Sequence, residues 1–258
     1  MQLDTFRNLF SPEWFEAFEP FLKTKEFATL WNQIASDAKK DSLYPYSAKL
    51  KHSLNNDEIE NCIFKAFKIT PFNELKVIIV GQSPYAVRTR LNASTSIPES
   101  DGLALSSRTK MQPHLSCIYD GLQTLTKIPL KREHDLTFMA EQGILLLNAA
   151  LTTRYSMPTI HLDVWKPFMD FFFKEIVAKK DSLHIVFMGG REVNAYGKMI
   201  EKKDNEMIQF PNTHWVYEDK HPMAYARKEQ PYPPYIFEKI ARDTGVYFDE
   251  VLKEELPF

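Results

Sequence analysis

LKVIIVGQSPY, running from Leu75 to Tyr85, is the stretch on which the reading of this chain turns. Its first half, Lys76 to Val80, is a short apolar run rich in β-branched residues and bounded by Gly81 and Pro84. That is the pattern of a strand buried on both faces of a parallel sheet. An abrupt polar turn follows: Gly81 lets the backbone bend, Gln82 and Ser83 offer amide and hydroxyl groups, and Pro84 stops the strand. Ligands of open parallel sheets bind just beyond the carboxyl ends of the strands. Gln82 to Tyr85 is therefore a candidate active-site segment.

Working outward, three more runs have the same form. Gly143 to Asn148 (GILLLN) and Asp181 to Met188 (DSLHIVFM, followed by Gly189-Gly190-Arg191) read as buried strands. A shorter, more polar run from about Thr213 to Asp219 leads into Lys220-His221-Pro222. Helical periodicity fills the intervals: Gln112 to Thr126 puts Leu115, Ile118, Leu122 and Leu125 on one face, and Asp135 to Gln142, Asp163 to Ala178, the stretch through Ile200 and about Pro234 to Arg242 follow. Ahead of the first strand, Ser11-Pro12-Glu13 is an N-cap signature opening two packed helices up to Lys40, and Asp57 to Phe67 reads as another helix. Leu43 to Tyr46 reads as a turn, Ala86 to Asp101 as a long polar loop, Gly102 to Ser107 (GLALSS) as a short apolar segment, and Thr152 to Leu162 as a linker. The alternation predicts an α/β fold, a three-layer α/β/α sandwich with a central, mainly parallel four-stranded sheet. Residues 1–258 form one domain in this reading, with 1–42 a helical extension and 86–101 a loop beside the site.

Composition narrows the function. At 258 residues and 44% hydrophobic content the chain can bury a sizeable core. Net charge is −2, from 32 basic and 34 acidic residues, which is unusual for a protein that binds duplex DNA through a broad basic face, so any nucleic-acid contact is expected to be local. Cys62 and Cys117 are far apart in sequence and suggest neither a disulfide framework nor a metal cluster. No apolar run approaches the ~20 residues of a membrane span, and MQLDTFRNLF lacks the basic-then-apolar form of an export signal. The expectation is an intracellular, cytoplasmic monomer with no membrane partner, no metal and no organic cofactor.

The four strand ends deliver Gln82, Ser83 and Tyr85; Asn148; Gly189, Gly190 and Arg191; and His221. Each has a bland alternative: Asn148 as a turn cap, the Gly pair as a tight bend, His221 as a satisfied loop histidine. Their joint occurrence on one sheet edge points to a pocket.

These residues carry a resemblance. The chain is similar to the uracil-DNA glycosylase superfamily, most closely its major uracil-excising family, over roughly Leu43 to Ile240. FKAFKITPFNELKVIIVGQSPY resembles the approach to that family's GQDPYH motif, and GLALSS its GLAFS segment. GILLLNAALTTR resembles its LLLN motif, Trp165 and Phe168 fall on an aromatic pair in the next helix, and HPMAYARK resembles its HPSPLS motif. The resemblance implies hydrolysis of the N-glycosidic bond of a pyrimidine flipped out of DNA, which is inaccessible within the stack. It places His221 as a neutral hydrogen-bond donor to the base's O2, Asn148 on the Watson–Crick edge, Tyr85 as the wall at C5 that excludes thymine, and the Gln82 amide on a base carbonyl. Gly190 and Arg191 align with a phosphate-binding loop. Arg88, Arg90, Pro113, His114, Lys220, Arg227 and Lys228 are further expected DNA contacts, and Tyr225 falls where the family has a Leu wedge.

Three departures stand out. Ser83 replaces the water-activating Asp; its hydroxyl can orient a water but is far too weak a base to deprotonate it at neutral pH. Asp101, and less so His161, are candidate substitutes. Leu105 replaces the base-stacking Phe, the loop after Tyr85 is longer, and Ala86 replaces a His, which together suggest specificity shifted toward a 5-substituted pyrimidine such as those of some viral DNA. Met223, Ala224 and Tyr225 alter the wedge. A competing reading is a catalytically impaired glycosylase fold that binds DNA or a replication protein.

Overall fold

The computed structural model describes residues 3–39, 43–45, 62–94, 96–189, 193, 196 and 214–255. Strand β1 (Val77–Gly81) is buried at every position and lies inside a four-stranded sheet between β2 (Ile144–Asn148) and β3 (His184–Met188), with β4 (Trp215–Asp219) beyond β3. All three pairings are parallel. The runs of Val, Ile and Leu fit strands covered on both faces, whereas β4 is partly exposed along its length, as an edge strand permits. Register aligns the carboxyl ends: Gly81 is opposite Asn148, and Met188 opposite Asp219. The segments that leave these ends emerge on one edge of the sheet.

Side-chain alternation divides the core into two faces. Ile79 and Leu146 point toward Leu115, Ile118 and Leu122 of the helix Pro113–Leu122 and Phe237 of the helix Tyr235–Thr244. Val80 and its neighbour in register, Phe187, face the other way, where Phe173 packs 5.8 Å from Phe187. On that face the helices Pro12–Leu22 and Lys25–Lys39 meet the helix Leu162–Phe171 through stacked rings, Phe18 on Phe168 at 4.6 Å and Phe21 on Phe171 at 5.1 Å. Trp14 also donates its indole N–H to the Thr70 carbonyl at 2.8 Å. The first two helices thus share the hydrophobic cluster that runs from Phe6 to Leu252. Among the described residues no helix is long and apolar enough to cross a membrane.

Several elements differ from expectation. Leu43 to Tyr46 is not merely a turn: Leu43–Tyr44 pairs antiparallel with Thr153–Arg154, which also gives the expected linker a strand. Within 86–101, Arg88–Arg90 and Ser96–Pro98 pair as an antiparallel hairpin. Its base is closed by Glu99, which is fully buried. The carboxylate accepts from the hydroxyls of Thr89, Ser107 and Thr109 and from the Thr109 amide. Burial acts to raise the pKa of Glu99, but those donors outweigh it and hold the group below the ordinary carboxylate value. The expected helix from Asp163 to Ala178 is regular only over Leu162–Phe171, and a π turn, Phe172–Ile176, continues it. In the described part of the expected Asp57–Phe67 helix, the regular element is Lys65–Ile69; residues 57–61 lie outside the described residues.

Candidate active site

At the head of β1, the absence of a side chain at Gly81 makes room for Asn148. A Cβ at Gly81 would lie 2.8 Å from Asn148 Oδ1 and 3.4 Å from the Ala104 methyl. The Asn148 side chain is therefore laid across its neighbouring strand end, beneath the GLALSS segment that Ala104 N–H ties to the Leu146 carbonyl at 3.0 Å. Although only 6% exposed, its amide makes no hydrogen bond to the described residues, so donor and acceptor are both open to a ligand. The backbone after β2 bonds back to the polar turn, Ala149 N–H to Gly81 O at 2.9 Å and Ala150 N–H to Gln82 O at 3.0 Å. Gln82 and Ser83 are half-buried there, and their side chains make no bond to the described residues. Replacing Gly81 by Ala is expected to displace the Asn148 amide. Base release should fall roughly 10–100-fold with little change in the urea midpoint, the scale of a misplaced reactive group. Single-turnover release checks this, and an unchanged rate contradicts the placement.

His221 follows β4. Its Nδ1 accepts the Met223 N–H at 3.1 Å, so the proton of the neutral ring sits on Nε2, which has no partner among the described residues. Burial, and then the positive charge of Arg227, hold its pKa below the ordinary histidine value. The ring is thus a neutral N–H donor at physiological pH. Base release that uses this donor is expected to stay flat from neutral pH down to 6.5, the ordinary histidine value, and to decline only below it. A pH profile of kcat/KM whose acid limb is centred above that value contradicts the assignment.

Tyr85 crosses the same edge. Its hydroxyl donates to the Leu105 carbonyl at 2.7 Å and meets His114 Nε2 at 2.5 Å. Burial, with the charges of Asp101 and Glu99, keeps the phenol far above its usual pKa and so protonated. The His114 ring is centred 4.8 Å from Tyr85 and 5.9 Å from His221, which makes a continuous Tyr-His-His row. His114, grouped with the DNA contacts on sequence, instead turns inward and is 8% exposed, while Pro113 beside it is exposed. The Cys117 thiol, one turn on, donates to the Pro222 carbonyl at 3.4 Å and ties this helix to the His221 segment.

Asp101 is buried with its oxygens engaged by Lys65 Nζ at 2.9 Å, Ser106 Oγ at 2.7 Å and Leu103 N–H at 3.1 Å; it braces the GLALSS turn. His161 is likewise committed. It lies between Thr152 Oγ1 and Asp37 Oδ2, each at 3.0 Å, in a chain that begins at the Trp165 indole and ends at Arg154. Neither residue is available as a base for a water. Lys220, Arg227 and Lys228 are exposed beside His221 and form a local cationic rim. Arg88 is held on the Tyr44 hydroxyl at 2.6 Å, and Arg90 folds onto the carbonyls of its own hairpin tip. Tyr225 donates to Asp219 Oδ1 at 3.0 Å and packs edge-on to Tyr232, so entry into a base stack requires that bond to break. Gly190 and Arg191 lie outside the described residues. Among the described residues no cluster of potential metal ligands occurs. The Tyr85–His114–Leu105 contact has no sequence signal, because it joins three segments through a side chain and a backbone carbonyl.

No family model matches the chain. The uracil-DNA glycosylase of Campylobacter fetus subsp. fetus is 31% identical over 207 residues, 76% of this chain and 80% of that protein. That of Borrelia turicatae is 32% identical over 205 residues, 78% of each. In structure, the mimivirus uracil-DNA glycosylase superposes with a TM-score of 0.66 over 86% of this chain and 71% of that one, at 21% identity, a likeness of fold. Fold, site and relatives together define a DNA glycosylase, a hydrolase acting on N-glycosyl bonds. The chain belongs to the uracil-DNA glycosylase family.

Proposed function

We propose that this protein hydrolyses the N-glycosidic bond of uracil flipped out of DNA and leaves an abasic site. The observation that carries the reading is the pairing, on one sheet edge, of a neutral His221 and an Asn148 amide, neither His221 Nε2–H nor the amide being engaged by the described residues. Bond cleavage sends the electron pair into the base and leaves cationic character on the sugar. An N–H donor aimed at the base O2 lowers that barrier, because it strengthens as charge develops. Asn148 supplies a donor and an acceptor to the uracil edge, and Tyr85 closes the C5 side. Ser83 orients the attacking water; once that water has added to the sugar cation it is acidic enough to lose its proton to solvent. The reaction therefore proceeds without a strong base, at reduced rate. The cationic rim of Lys220, Arg227 and Lys228 supplies local phosphate contacts, which fits a chain of net charge −2.

A 5-substituted pyrimidine is the second reading. Leu105 in place of an aromatic platform favours it, and the twofold tethering of the Tyr85 hydroxyl opposes it. The test is base release from matched DNA containing uracil, thymine, cytosine, 5-hydroxymethylcytosine or its glucosylated form. Uracil release alone is the expected result. Release of a 5-substituted base alone transfers the assignment to the second reading, and DNA binding with no release supports a binding module.

A further inference from the structure

His114 has no place in the reaction just described, yet it is buried with its Nε2 against the Tyr85 hydroxyl. The Tyr85 phenol has one proton and lies within bonding distance of two groups. The Leu105 carbonyl can only accept, so the phenol donates there and His114 must donate its Nε2–H into the phenol oxygen. Nδ1 is then an acceptor, and it is buried without a partner among the described residues. A buried unsatisfied group calls for an explanation other than stability. Leu105 adds a second irregularity. Its φ of 67° is left-handed backbone that a branched side chain disfavours, and this conformation presents the carbonyl that Tyr85 binds. Two costly local choices thus converge on one hydroxyl. Burial and the neighbouring His221 depress the His114 pKa to about 4, which keeps the single-donor tautomer through the physiological range.

We propose that His114 is a positioning residue for base specificity. Its Nε2–H and the Leu105 carbonyl clamp the Tyr85 ring so that the wall at the pyrimidine C5 cannot yield to a methyl group. This rests on the reading of the site as a pocket for flipped uracil. In a chain that lacks an aromatic stacking platform at Leu105, the clamp supplies rigidity that stacking would otherwise contribute.

The experiment compares uracil and thymine release by the wild type, His114→Phe, His114→Gln, Tyr85→Phe and the double variant His114→Phe/Tyr85→Phe. A methyl group at a fitted wall is worth roughly 10–200-fold in discrimination. His114→Phe keeps the ring volume without the donor and is expected to lower the uracil-to-thymine ratio of kcat/KM by about tenfold or more within that range. His114→Gln, which retains an N–H donor, should recover much of the ratio. Tyr85→Phe should match His114→Phe, and the double variant should lose no more than either, as groups acting through one contact do. An unchanged ratio in soluble His114→Phe, or additive losses in the double variant, overturns the clamp while the uracil reading stands. If His114→Phe does not fold, failure of Tyr85→Phe to lower the ratio overturns the clamp in the same way. A wild type that releases no uracil overturns the reading beneath it and the proposal with it.

Discussion

Asn148→Ala and His221→Ala are each expected to lower single-turnover uracil release by about 10²–10³-fold, the cost of removing one donor aimed at developing charge. The two losses have different origins. Truncating His221 removes the Nε2–H that meets charge on the departing base, so the deficit should appear in the chemical step with DNA affinity nearly intact. Truncating Asn148 removes recognition of the base edge, so binding of DNA carrying an extrahelical uracil should weaken as well. Neither change should unfold the protein, because among the described residues the Asn148 amide holds no neighbour and the His221 ring accepts a single hydrogen bond, from Met223 N–H. Urea midpoints within the experimental spread of the wild type are the control. Wild-type rates in both variants refute the site.

Ser83→Asp is expected to act in the opposite direction and raise uracil release by roughly 10²–10⁴-fold, the usual contribution of a positioned general base. The side chain at this position is half-buried and makes no bond to the described residues, so a carboxylate can be accommodated. Asp101 and His161 cannot substitute in the native chain, because the first is held by Lys65 and Ser106 and the second by Thr152 and Asp37. The gain should be in kcat with KM little changed. No gain from a protein that still binds uracil-containing DNA means that the attacking water is placed elsewhere.

The sheet was legible in the sequence because its signal is local. VIIVG and ILLLN are short apolar runs of the kind that forms buried strands, and the polar residues Gln82 and Asn148 at their carboxyl ends mark the edge where ligands of such sheets bind. Helix cores were legible for the same reason, and their ends were not: the helix that begins at Leu162 gives way at Phe172 to a π turn in which Phe172 and Phe173 are both buried. The hairpin Arg88–Arg90 with Ser96–Pro98 carries no such signal, because its strands are three residues long and largely polar, and its base is closed by tertiary bonds from hydroxyl donors to the buried Glu99 carboxylate. Gln82, Asn148 and His221 could be proposed from sequence because strand ends converge by topology. The inward turn of His114 was not, since it depends on Tyr85 and Leu105 arriving from other segments.

Under the proposed function, a neutral imidazole and an open amide are enough to expel uracil where the water-activating carboxylate is absent. The most direct measurement is single-turnover release of uracil from a single-stranded oligonucleotide by the wild type and by Asn148→Ala, with DNA affinity measured on the same preparations. Release by the wild type that is lost in the variant is the predicted result. Equal release by both, or none from a wild type that binds the DNA, contradicts it.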